Sequence, residues 1–192
     1  MRRFMVPWVA AALSLAALAT PALARPLEHE HYSGSDSFVF EDGCGTDWAV
    51  EVTFSGNFML KDGRDGSPPY FFDNYQYREV WTDVSDPDRV VIHQGNGLWR
   101  DQHITLVEGT TFHFEIIESG QPSTWWTGDG QLIFRDRGSI VWEFTVDTQG
   151  DDDLSNDELV SEEGPTRING PHPELLSTFE EFCHAVNSAL DG

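Results

Sequence analysis

Apolar and polar residues alternate with a period of two along most of the chain. The clearest run is Trp48, Val50, Val52, Phe54, Phe58 and Leu60, with Glu51, Thr53, Ser55, Asn57 and Lys61 between them. Successive strand side chains point to opposite faces, so the run predicts a long half-buried strand, bent at Gly56. Phe71 to Thr82 predicts an aromatic strand and Val90 to His93 a short one. Gly95-Asn96-Gly97 reads as a turn, and Leu98–Val107 with Thr110–Glu118 as a hairpin about Glu108-Gly109. Asp129-Gly130 reads as a type I′ turn joining Ser123–Thr127 to Gln131–Arg135, because both residues tolerate positive φ. Arg137-Gly138 turns into a last strand, where Ile140, Trp142, Phe144 and Val146 share a face.

Outside this core the pattern changes. Residues 25–37 are polar and rich in His, Glu and Ser, and read as a flexible lead-in. After Asp147 the alternation stops, and 151–163 reads as an acidic loop. Pro173 suits a helix start. Leu175, Phe179, Phe182, Val186 and Leu190 then recur at helical spacing, which predicts a helix over 174–190. Strands that follow one another without intervening helices exclude a parallel βαβ sheet. The prediction is a mainly β domain over 38–192. Its first form is an antiparallel up-and-down barrel of eight to nine strands with a C-terminal helix, which disposes of open edges. A two-sheet sandwich is the alternative.

The start of the chain is different in kind. Met1-Arg2-Arg3 is basic, Phe4 to Leu18 is apolar, and Ala22-Leu23-Ala24 is a small-x-small cleavage site. Residues 1–24 therefore read as a signal peptide, and the protein as secreted. The apolar stretch is too short and too broken by Pro7 and Ser14 to make a membrane span. Export bears on the two cysteines, Cys44 and Cys183. In an oxidising compartment they predict an intramolecular disulfide across 139 positions, worth on the order of 5 kcal/mol by chain entropy. The net charge is −22, which repels nucleic acid and anionic membranes.

Several groups could carry chemistry. Asp151, Asp153, Ser155, Asp157 and Glu162 occupy positions one, three, five, seven and twelve of a candidate Ca2+ loop. The departures are Glu158, where an apolar residue belongs, and the absence of a preceding helix. A two-residue turn at Glu108-Gly109 would put Asp101 and His103 on one aromatic face, as a candidate acid–base pair. A one-residue bulge would undo that assignment. Trp81, Trp99, Trp125 and Trp126 exceed what an alternating core needs, and are candidates for the wall of a ligand pocket. Adjacent Trp125 and Trp126 must face opposite ways in a strand. No HExxH, GxSxG or cysteine-based zinc pattern occurs.

Four segments also carry a resemblance: Phe40-Glu41-Asp42-Gly43-Cys44, Gly66-Ser67-Pro68-Pro69-Tyr70-Phe71-Phe72, Gly95-Asn96-Gly97-Leu98 and Arg135-Asp136-Arg137-Gly138. They are similar to segments of uncharacterised small secreted proteins of high-GC Gram-positive bacteria. That resemblance implies secretion and a shared fold, and brings no activity with it. The strand rhythm also resembles lipocalin-like barrels, in architecture alone. The leading functional expectation is a secreted, non-enzymatic barrel that binds a small apolar molecule or a surface glycan. The alternatives are a protein-binding or inhibitor module, and a barrel enzyme built on a His/carboxylate pair.

Overall fold

Among the described residues, seven antiparallel strands follow one another as a meander, each paired with its neighbour in sequence, and an α-helix follows them. The computed structural model describes residues 27–63, 67–151 and 154–191, so the signal-peptide reading of 1–24 lies outside the described residues. The strands are β1 (Glu28–Gly43), β2 (Thr46–Lys61), β3 (Tyr70–Asp83), β4 (Val90–Glu108), β5 (Thr111–Thr127), β6 (Leu132–Asp147) and β7 (Glu158–Asn169). The helix, α1, spans Phe179–Leu190. β1 and β7 are the two edges of one open sheet, so the expected closed barrel is not what forms among the described residues.

Among the described residues the strand count is seven rather than eight or nine: two expected turns and one gap between expected strands fall within long strands, while β7 adds a strand that was not expected. β4 runs through Gly95-Asn96-Gly97, and β6 runs through Arg137-Gly138. β5 likewise joins two expected strands into one. The register explains this. Gly56 pairs with Tyr75, Tyr75 with Gly97, Gly97 with Gly120 and Gly120 with Gly138, so glycines on four of five neighbouring strands stand in one row, with Tyr75 of β3 among them. Glycines aligned across a sheet let it kink while the ladder continues. They also make room: a Cβ on Gly56 would lie 2.2 Å from the Tyr32 ring, and one on Gly97 2.8 Å from the Tyr75 hydroxyl.

Two polar segments correct the sequence reading. The expected lead-in over 25–37 is strand from Glu28 onward, with Glu28 paired to Leu60 and Tyr32 to Gly56. The expected loop over 151–163 is strand from Glu158, paired to Asp147. Both are edge strands with exposed side chains, so neither needs the apolar periodicity that marks a buried strand. The Asp129-Gly130 turn forms with positive φ at Gly130 alone. Cys44 and Gly45 both take positive φ between the paired Gly43 and Thr46, as a type I′ turn requires.

The core lies at one end of the sheet. Trp48, Val50, Val91, Trp125 and Phe134 pack with Val186 of α1, and Phe182, Ala185 and Leu190 join them. α1 starts later than the expected helix because Thr178 caps it. The Thr178 hydroxyl accepts from the Glu181 N–H, and the Glu181 carboxylate accepts from the Thr178 N–H. Leu175 therefore lies in the turn before the helix. The Cys44–Cys183 disulfide, with Cα atoms 4.9 Å apart, fastens α1 to the β1–β2 turn.

Candidate functional site

One face of the sheet carries most of its aromatic side chains. Strict alternation along β3 puts Asp73, Tyr75, Tyr77, Glu79, Trp81 and Asp83 on that face. Register brings His93 opposite Glu79, Trp125 opposite His93 and Phe134 opposite Trp125. Side chains from next-but-one strands meet here. The Phe40 and Trp81 rings lie 5.5 Å apart, as do those of Trp81 and Trp125. Next-but-one strands in a flat sheet are about 10 Å apart, so these contacts mark the concave side.

A pocket of about 470 Å³ opens between this face and α1. Trp48, Trp81, Trp125 and Phe182 wall it, and Phe40 and Phe179 stand at its mouth, 41% and 64% exposed. The disulfide borders it through Cys44. The titratable side chains in its lining are Glu79, His93 and Glu174.

These polar groups form one network. His93 Nδ1 lies 3.0 Å from Glu79 Oε2, which also accepts from Trp81 Nε1 at 2.8 Å. Burial alone would raise the Glu79 pKa, but the bonds from His93 and Trp81 outweigh it and hold the carboxyl below its usual range. His93 Nε2 lies 2.8 Å from the Tyr77 hydroxyl and 3.0 Å from Ser123 Oγ. Ser123 Oγ in turn donates to Glu174, and Tyr77 donates to the Pro122 carbonyl at 2.9 Å. The His93 ring stacks on Trp125 at 3.9 Å with planes 7° apart. The imidazole is thus fixed by a carboxylate on one nitrogen, two hydroxyls on the other and an indole beneath it.

A second basin of about 390 Å³ lies farther along the same face, among Phe58, Phe71, Tyr75 and Trp99, with Asp73 and Glu118. Tyr75 donates to Glu118 at 2.5 Å, and Tyr32 reaches both oxygens of Asp73 at 3.1 and 3.0 Å. Burial, then the Glu118 bond, pushes the Tyr75 phenol far above its ordinary range. Burial and Asp73 push Tyr32 up to about 12.

The four tryptophans divide between these places. Trp81 and Trp125 share the pocket beneath α1, Trp99 borders the second basin, and Trp126 lies on the opposite face. The Asp101–His103 pair is not assembled. A register shift between them pairs Asp101 with Ile116 but His103 with Glu115, which puts the two side chains on opposite faces. Asp101 accepts instead from the Phe71 N–H at 2.8 Å, and His103 is exposed. In place of that pair the fold brings together Glu79 and His93.

Of the candidate Ca2+ loop, Asp153 lies outside the described residues. A 3-10 turn spans Leu154–Asn156, and Asn156 Nδ2 donates to Asp151 at 3.1 Å. Glu162 sits within β7, paired to Phe144. Among the described residues, no three His, Cys, Asp or Glu side chains are grouped to hold a metal. Also among them, no helix is long and apolar enough to cross a membrane. No family model, curated protein or solved structure matches the chain.

Proposed function

We propose that this is a secreted binding protein that takes a small, largely apolar molecule into the pocket beneath α1. One observation carries the reading: a volume of about 470 Å³ walled by aromatic rings, with its titratable groups confined to Glu79, His93 and Glu174. Small-molecule sites span about 300–1,000 Å³ and combine apolar walls with a few placed polar groups. Exposed rings at the mouth, Phe40 and Phe179, support entry from solvent. The reading needs no closed barrel. A sheet curled enough for Phe40 to meet Trp81 gives the ligand a wall, and α1 gives it a roof. The basic, apolar, small-residue start of the chain supports export.

Trp81 and Trp125 serve as reporters. An apolar fluorescent probe titrated into the protein is expected to quench tryptophan emission saturably, and Trp125→Phe to reduce that signal. Unchanged emission across a chemically varied panel would defeat the reading.

A second reading rests on the alignment of Ser123 Oγ, His93 and Glu79, each link being 3.0 Å. A hydroxyl, an imidazole and a carboxylate in that order can activate a nucleophile. The Ser123 proton points to Glu174 rather than His93, which favours binding over catalysis. Hydrolysis of a small aryl ester that is lost in Ser123→Ala would reverse that preference.

A further inference from the structure

We propose that the molecule taken up beneath α1 is an organic cation, an amine or quaternary ammonium on an apolar body. This rests on the pocket reading above and names the ligand's charge. Among the residues that line the pocket there are two carboxylates, Glu79 and Glu174, and no lysine or arginine. The hydrogen bonds to both carboxylate groups fall on Oε2: His93 and Trp81 on Glu79, Ser123 on Glu174. Among the described residues, the Oε1 atom of each accepts no hydrogen bond.

The walls favour the same charge. Trp81 stands at 65° to Trp48, 60° to Trp125 and 67° to Phe40, and Trp125 at 75° to Phe182. Five aromatic rings, Phe40, Trp48, Trp81, Trp125 and Phe182, therefore border one volume. A cation within about 6 Å of a ring's face is attracted by its quadrupole. A neutral guest forgoes that attraction; Glu79 keeps its contact with His93, but among the described residues Glu174 has the Ser123 hydroxyl as a donor and no ion-pair partner.

The local field has the right sign. Tyr77 hydrogen-bonds His93 at the edge of the pocket. Its phenol is driven well above the ordinary range, first by burial and then by Glu174, Glu79 and Glu118. At longer range the chain's net charge of −22 steers cations toward it.

The test compares three probes of similar shape: benzyltrimethylammonium, its neutral isostere neopentylbenzene, and phenylacetate. Affinity is read from tryptophan quenching at low and at high salt. The expected result is that the ammonium binds about 10-fold more tightly than the isostere. Phenylacetate should bind worst, and salt should weaken only the ammonium. Glu174→Gln should narrow the gap between ammonium and isostere severalfold. If that variant does not fold, the salt dependence of the wild-type protein decides the same point. Equal or tighter binding of neopentylbenzene overturns the cation proposal and leaves the apolar pocket standing. Binding of none of the three defeats the pocket reading and this proposal with it.

Discussion

Two aspartates, Asp83 and Asp101, show how little the residue type alone decides. Asp83 is 1% exposed and accepts from the Thr46 hydroxyl, from both the N–H and the hydroxyl of Ser85, and from the Asp86 N–H. Burial would raise its pKa, but these donors hold it below the usual range. Asp101 has one such donor, the Phe71 N–H, and its Oδ1 is buried without a partner. There burial wins, and the carboxyl is pushed up to about 6. The two therefore bear on stability with opposite sign. The folded state binds the Asp101 proton more tightly than the unfolded chain does. Stability is lost as pH rises from the ordinary aspartate range to about 6, and the cost is complete above that. Asp83 contributes stability above the ordinary aspartate value, which is lost as pH falls through its depressed one. Asp101→Asn should remove the first effect. Relative to the variant, the wild-type protein should lose at most about 3 kcal/mol between pH 4 and pH 7. Denaturant unfolding at both pH values checks this, and a constant difference between the two proteins would contradict it. Register matters as much as environment at this scale. Alternation alone pairs Asp101 with His103, and one bulge separates them. The pair that does form leaves a trace in the sequence too. Along β3, Glu79 falls on the face of Tyr75, Tyr77 and Trp81, and an acid among rings is the signal that points to it.

Elements are legible where their sides differ and illegible where they do not. The Trp48–Leu60 alternation marks β2 to within a few residues, and the spacing of Phe182, Val186 and Leu190 marks α1. β1 and β7 lie at the sheet's edges with exposed side chains on both faces, so no apolar rhythm announces them. The Gly-Asn-Gly and Arg-Gly segments carry turn chemistry but sit in a run of paired glycines across β4, β5 and β6, where a bend satisfies them. Cysteine counting does identify the clamp on α1. Cys44 and Cys183 are bonded, and Asn187 of α1 also donates to the Cys44 carbonyl at 3.3 Å. α1 roofs the pocket, so the clamp matters twice. Replacing both cysteines by serine is expected to lower stability by up to about 5 kcal/mol, the loop-closure value for so long a separation. Probe binding should weaken even under conditions where the variant remains folded, because Phe179 and Phe182 line the pocket from the helix. Unfolding curves and fluorescence titrations on the same samples separate these effects. Undiminished affinity in a folded variant would show that the β1–β2 tether is not needed to hold the roof.

At the scale of the whole molecule, each strand is paired to its neighbours in sequence and the sheet ends at β1 and β7. Closing a barrel needs those two strands to bond, and the burial pattern has a different logic. The core gathers at the end that α1 covers, while β1 is exposed along most of its length. Open edges invite pairing with other chains, and charge at the edge opposes it. β7 carries Glu158, Glu162 and Glu163, and β1 carries Glu28, Glu30, Asp36 and Glu41. Like charge on the two edges also opposes their joining to each other. Hydrogen exchange distinguishes an open sheet from a closed one residue by residue. In β4 and β5, which have a strand on both sides, protection should run continuously along the ladder. In β1 and β7 it should alternate. Amides that point toward β2 or β6 should be protected, and those that point away should exchange at rates close to the unstructured chain. Continuous protection along β1 and β7, matching that of β4, would mean the edges are joined and the sheet is a barrel after all. The alternating pattern would leave the roof of α1, rather than closure of the sheet, as what confines a ligand against the aromatic face.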